Sequence, residues 1–190
     1  MEQVGFYFNA KRCTGCKTCM LACKDYRNLD ASVSFRQVYE VASGSWTQDE
    51  RGCWTQDCFA FYVSSACNHC SNPACMEVCP TGAMGKNEQG LVSVDEHRCI
   101  GCGYCALSCP YHAPKVDRGV GHSVKCDGCL DRVREGRTPV CVEACPLRAL
   151  DFGPIADLRA RYGWAADMPP LPDSSKTAPN LVLNLPVCLE

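Results

Sequence analysis

Residues 99–110 read CIGCGYCALSCP, four cysteines and a proline in twelve positions. Thiols this close together suit soft metal centres. The deprotonated sulfur is the ligand, and one short loop can present several sulfurs to one centre. Sixteen of the 19 cysteines in this 190-residue chain fall into four such groups. The first holds Cys13, Cys16, Cys19 and Cys23, and the second Cys67, Cys70, Cys75 and Cys79. The third holds Cys99, Cys102, Cys105 and Cys109, and the fourth Cys126, Cys129, Cys141 and Cys145. Each group ends in C-x3-C; Pro80, Pro110 and Pro146 follow three of them, and Lys24 follows the first. Cys53, Cys58 and Cys188 have no ligand spacing and read as ordinary thiols.

Two metal chemistries compete. A structural zinc site uses two C-x2-C hairpins about 12–20 residues apart, converging on one tetrahedral ion. The third group instead sets Cys105 three positions after Cys102, with Cys109 soon after, a crowding that one ion does not need. A 4Fe–4S cube takes one thiolate on each iron, and the run C-x2-C-x2-C-x3-C-P is the bacterial ferredoxin signature. In two-cluster ferredoxins the fourth cysteine of the run serves the other cluster. The spacing agrees, since Cys109 lies about one helical turn beyond Cys105 and Pro110 fixes the chain direction past it. A zinc-stabilised interaction module is the alternative of another class. A disulfide scaffold fits poorly: the cysteine count is odd, the clusters are tight, and MEQVGFYFNAKRC has no secretory-signal pattern.

The elements that position these loops are legible between them. Residues 81–98 carry a polar NEQG turn before the alternating LVSVD, a hairpin pattern. Groups two and three therefore form one two-cluster module over residues 67–114. By elimination, groups one and four pair across it, over residues 1–30 and 115–153. The expected fold class is α+β, with two interleaved bacterial-ferredoxin-like modules, each pseudo-twofold. Within residues 31–66, SFRQVYEV and CFAFYVSS are rich in aromatic and β-branched residues and read as an inserted β-hairpin. Residues 154–190 read as a short helix, IADLRARYG, and then an extended proline-rich docking tail, MPPLPDSSKTAPN.

The remaining composition excludes several functions. A formal net charge of −2 with no polybasic face argues against nucleic acid. No apolar run approaches the roughly 20 residues of a membrane helix. No nucleophile–base set, phosphate loop or pterin site is apparent, so the chain is expected to be non-catalytic. Arg12, Arg98 and Lys125 each precede a first cysteine, where they either tune a cluster or are plain surface charge. His69 and His112 lack the two-histidine pattern of a Rieske centre and read as structural groups beside the ligands.

The motifs CTGCKTCMLACKDY, ACNHCSNPAC, VCPTGAM, CIGCGYC, CPYHAP, KCDGC and CVEACPLRALDFGPI resemble the iron–sulfur subunit of the dimethyl sulfoxide reductase family over about residues 3–160. That resemblance implies an electron-transfer subunit with four 4Fe–4S clusters. Their ligands would be Cys13, Cys16, Cys19 and Cys145; Cys126, Cys129, Cys141 and Cys23; Cys67, Cys70, Cys75 and Cys109; and Cys99, Cys102, Cys105 and Cys79. Some relatives lose a ligand in the third group and hold a 3Fe–4S cluster; here Cys102 and its neighbours are intact. The implied partners are a molybdopterin catalytic subunit and a membrane anchor subunit that handles quinol. The implied location is peripheral at the cell membrane, on the exported face through co-export with a signal-bearing partner, or else cytoplasmic. A subunit of formate dehydrogenase or another oxidising complex is the alternative within the same chemistry.

Overall fold

The computed structural model describes residues 2–189, a mixed α/β chain of short helices and small sheets. The strands are β1 (Val4–Asn9), β2 (Gln37–Ser43), β3 (Trp46–Gln48), β4 (Trp54–Gln56), β5 (Phe59–Ser65), β6 (Met84–Lys86), β7 (Val92–Val94), β8 (Lys115–Asp117), β9 (His122–Val124), β10 (Leu150–Pro154) and β11 (Leu181–Asn184). The helices are α1 (Thr18–Tyr26), α2 (Ala74–Glu77), α3 (Tyr104–Ser108), α4 (Leu130–Arg134), α5 (Val140–Glu143) and α6 (Ile155–Tyr162).

β1 is the middle strand of the one three-stranded sheet among the described residues, antiparallel to β10 and parallel to β11. Successive side chains of a strand face opposite ways, and β1 uses both faces. Phe6 and Phe8 join a core that includes Cys19, Cys141, Cys145, Phe61, Val63, Leu181 and Leu183. Tyr7 faces the other way onto Ile155, Leu158 and Val182, with its ring stacked 3.7 Å from that of Tyr162 on α6. Gly5 lets the C-terminal segment approach, because a Cβ there would lie 2.4 Å from the Asn180 carbonyl oxygen. Phe6 N–H donates to that oxygen at 3.0 Å.

Residues 177–184, expected within an extended docking tail, are instead built into the protein's own interior. Asn180 is buried, donates through Nδ2 to the His69 carbonyl at 2.8 Å, and donates through its backbone to Asn68 O at 3.0 Å. Ser71 and Asn72 N–H groups donate to Ala178 and Thr177 carbonyls. The tail thus clamps the second cysteine loop before entering the sheet as β11.

The remaining sheets are two-stranded. β2 and β5 pair from Gln37↔Ser65 to Ser43↔Phe59, and β3 and β4 extend that hairpin to a tip where Trp46 and Trp54 are exposed. β6 and β7 form the hairpin expected from NEQG, with Asn87 Oδ1 accepting from Gln89 and Leu91 N–H groups. β8 and β9 form a further hairpin across the glycine-containing RGVG, where Asp117 Oδ1 accepts from Gly119 N–H at 2.8 Å.

Four helices begin one residue before the third cysteine of a group: Cys19, Cys75, Cys105 and Cys141 are each the second residue of α1, α2, α3 and α5. Where proline follows the fourth cysteine, the helix is four or five residues long. Lys24 replaces that proline in the first group, and α1 runs on for nine residues. Its ammonium then donates to Asp30, Ala31 and Val33 carbonyls at 2.9, 3.0 and 2.6 Å, holding the following loop.

Two substitutions test these roles. Leu183→Ala, in the tail strand, is expected to cost about 2–5 kcal/mol of stability, read from denaturant unfolding of the iron-loaded protein. Lys24→Met is expected to cost about 1.5–3 kcal/mol through its charged hydrogen bonds and to speed hydrogen exchange of residues 30–34 while iron content stays unchanged.

Candidate metal centres

The cysteine loops share one backbone device. The third residue of the first C-x2-C in each group has positive φ: Gly15 at 69°, His69 at 44°, Gly101 at 67° and Gly128 at 75°. This left-handed turn lets the loop wrap round a centre, and glycine adopts it without strain. Gly101 also needs the space, since a Cβ there would lie 2.5 Å from the Gly121 carbonyl oxygen in the β8–β9 turn. His69 is the exception. It bears the left-handed strain and is fully buried. Its Nδ1 accepts from Val92 N–H at 2.9 Å, which leaves the ring proton on Nε2, 4.0 Å from Cys126 Sγ. His112 also has positive φ but is exposed.

Two cavities are lined by cysteines from two groups each. Cys67, Cys70 and Cys75 line one with Cys109, alongside Tyr111, Pro114 and Lys125. Cys13, Cys16 and Cys19 line the other with Cys145, alongside Phe8, Leu147 and Leu150. In a third region, Cys23 lies near enough to Cys129 and Cys141 for their charges to act on it, and Cys126 feels both Cys23 and Cys141. For the remaining four thiols, Ser123 joins two: its N–H donates to Cys99 Sγ at 3.3 Å, and its hydroxyl lies 3.3 Å from Cys105 Sγ. Cys79 packs against the small core containing Cys105, and Cys102 is exposed. Among the described residues, no group of three or more His, Cys, Asp or Glu converges closely enough for a single metal ion. Thiols spread around a cavity suit a polynuclear centre.

Further polar groups reach the sulfurs. Gly128 N–H donates to Cys126 Sγ at 3.4 Å and Ala149 N–H to Cys145 Sγ at 3.3 Å. Hydroxyls of Ser64 and Thr18 lie 3.4 Å from Cys19 and Cys16 sulfurs. Burial pushes the Cys23 and Cys75 thiols up to about 12 and Cys70 to about 11, with neighbouring sulfurs adding to the rise at all three. Burial acts the same way on Cys67, but the Lys125 ammonium and hydrogen bonds from His69 oppose it and hold that thiol below its ordinary value.

The three cations that precede a first cysteine separate here. Arg12 and Arg98 are exposed, and Arg98 donates to Thr81 O at 2.7 Å. Lys125 is buried, with Nζ donating to the carbonyls of Val92 and Cys126. Sequence reasoning missed a further buried cation, Arg36, whose Nη1 donates to Ser64 Oγ at 3.1 Å. Burial alone would lower its pKa, yet Cys141, Cys19, Cys126 and Cys23, once their sulfurs carry charge, hold it above its ordinary value. Cys53, Cys58 and Cys188 are free and exposed.

Comparison with known proteins points to iron–sulfur chemistry. A model for a 4Fe–4S dicluster domain matches residues 58–155, and one for a 4Fe–4S binding domain matches residues 10–27. The chain is 58% identical to the B subunit of anaerobic dimethyl sulfoxide reductase from Haemophilus influenzae, over 96% of this chain and 89% of that protein. It is also 58% identical to the subunit of the same name from Escherichia coli K12, over 95% and 88%. It is 40% identical to the thiosulfate reductase electron transfer subunit PhsB of Salmonella typhi, over 75% and 71%. Cysteine loops built for polynuclear iron and near-full-length identity lead to one conclusion: this protein belongs to the family of anaerobic dimethyl sulfoxide reductase B subunits and is an iron–sulfur electron-transfer subunit.

Proposed function

We propose that this subunit carries electrons along four 4Fe–4S clusters and performs no organic reaction itself. The sets are Cys13, Cys16, Cys19 and Cys145; Cys126, Cys129, Cys141 and Cys23; Cys67, Cys70, Cys75 and Cys109; and Cys99, Cys102, Cys105 and Cys79. The observation that carries this reading is the pair of cavities in which three cysteines of one group meet the last cysteine of another. When bound, each cluster supplies a centre that takes up and gives up one electron.

Two interleaved ferredoxin-like modules, residues 1–30 with 115–153 and residues 67–114, account for that exchange. Packing of α1 against α5 and of α2 against α3 supports the pairing. So does Arg27 past the end of α1, which binds Asp127 and Asp131 beside the fourth group at 2.8 Å each.

The sets follow one another in space. Cys19 of the first feels Cys141 of the second, and Cys126 of the second feels Cys67 of the third. Cys75 of the third shares a small core with Cys105 and Cys79 of the fourth. The first and fourth sets each include an exposed ligand, Cys16 and Cys102, whereas the second set is buried throughout. This supports a wire with entry and exit at its two ends.

A molybdopterin catalytic subunit at one end and a quinol-oxidising membrane anchor at the other complete the circuit. The complex lies at the membrane, with this subunit peripheral on the exported face. Among the described residues no helix is long and apolar enough to cross a membrane. The relatives at 58% identity are named as subunits of a reductase, which favours electron flow from quinol towards molybdenum over the oxidising direction.

Iron and acid-labile sulfide analysis of anaerobically prepared protein tests the count, with about sixteen irons per molecule expected from four cubes. Far fewer irons, or zinc in their place, would sink the proposal. Cys145→Ser should alter the electron paramagnetic resonance of the cluster set on Cys13, Cys16 and Cys19 and leave that on Cys126, Cys129 and Cys141 in place. A second test uses pH. Cys23, Cys70 and Cys75 hold their protons at neutral pH without iron. Ligation must displace those protons, so cluster retention strengthens as pH rises and weakens as acid returns them. Visible absorption followed anaerobically should fall on acidification; a pH-independent signal contradicts thiolate ligation at these positions.

A further inference from the structure

Arg36 and Lys125 are only 3% and 6% exposed. Among the described residues, neither has a carboxylate within ion-pairing distance. A buried cation without a counter-charge is strongly destabilising, so the negative charge that balances these two must come from other groups.

Their surroundings identify it. Arg36 donates to Ser64 Oγ, and the same hydroxyl lies 3.4 Å from Cys19 Sγ. Its guanidinium sits 5.1 Å from the Phe6 ring centre, and its Nε has no hydrogen-bond partner in the protein. Phe6, over which Arg36 lies, belongs to the core that holds both Cys19 of the first set and Cys141 of the second, and the sulfurs of Cys23 and Cys126 also act on the guanidinium. Lys125 lines the Cys67–Cys109 cavity of the third set while bonding the carbonyl of Cys126, a ligand of the second. His69 bridges the same gap, fixed by Val92 N–H on one side and lying 4.0 Å from Cys126 Sγ on the other.

We propose that Arg36 and Lys125 are shared counter-charges, Arg36 between the first and second cluster sites and Lys125 between the second and third. Each raises the reduction potential of the two sites it separates. Reduction adds one electron to a site already ringed by thiolates, and a nearby fixed positive charge in a low-dielectric interior favours the more negative state. The inference rests on the four-site reading given above.

The test uses the assembled complex. Arg36→Gln and Lys125→Gln are compared with the charge-keeping Arg36→Lys and Lys125→Arg by potentiometric titration followed by electron paramagnetic resonance, with iron measured on every sample. Arg36→Gln should lower two midpoints, each by a factor of roughly ten in the reduction constant, or about 59 mV for one electron. Lys125→Gln should lower two midpoints as well, one of them shared with the Arg36→Gln pair. The charge-keeping variants should shift little. Glutamine variants that keep full iron and all midpoints overturn the proposal. If the glutamine variants lose iron and the charge-keeping variants retain it, the counter-charge role is supported at the level of cluster retention. Loss in both overturns it in favour of packing alone. Low iron in the unsubstituted protein is a separate result, striking the four-site reading.

Discussion

Thiols buried side by side resist ionisation, and the rest of this structure is arranged around that resistance. Cys23, Cys75 and Cys126 all sit where burial and neighbouring sulfur hold the proton on. A protein that collects so many of them inside needs metal to remove the protons and fixed positive charge to tolerate what remains. The hydrophobic core is correspondingly divided, with cysteines as members of three of its four clusters. Metal and core are therefore not separable contributions: the sulfurs pack against Phe8, Leu150 and Val92 and at the same time define the centres.

The ligand groups are legible in the sequence because their chemistry is local. C-x2-C loops and C-x3-C helical turns are encoded within a dozen residues, and the paired strands around NEQG and the helix at 155–162 have short-range signals of the same kind. What the sequence hides depends on distant packing. LVLN follows a proline-rich run whose composition suggests an extended docking tail, and only the facing edge of β1 makes it a strand. Arg12, Arg98 and Lys125 are equivalent in sequence as residues preceding a cysteine; only the fold buries the last. Arg36 has no local mark at all, since an arginine at the start of a strand ordinarily faces water. Lys24 reads locally as a missing proline, whereas the longer helix it permits gives its ammonium a loop to hold.

His69 shows how a departure from pattern can carry information. The other three loops use glycine at the same turn. A histidine there is strained in its backbone, and its side chain and carbonyl together meet Val92, Cys126 and Asn180. One residue therefore joins the second loop, the fourth loop, the β6–β7 hairpin and the tail. Local strain of this kind persists where the surroundings over-determine it, and here four segments do so.

The topology of β1 has a bearing on biogenesis. This apolar strand is made before all four cysteine groups, while both of its sheet neighbours lie beyond them. Until they arrive, Phe6 and Phe8 have no sheet to enter, and contacts so remote in sequence close slowly. Newly made molecules thus pass through a stage with an open, sticky edge and empty thiol loops, a stage in which oxidation and aggregation compete with maturation.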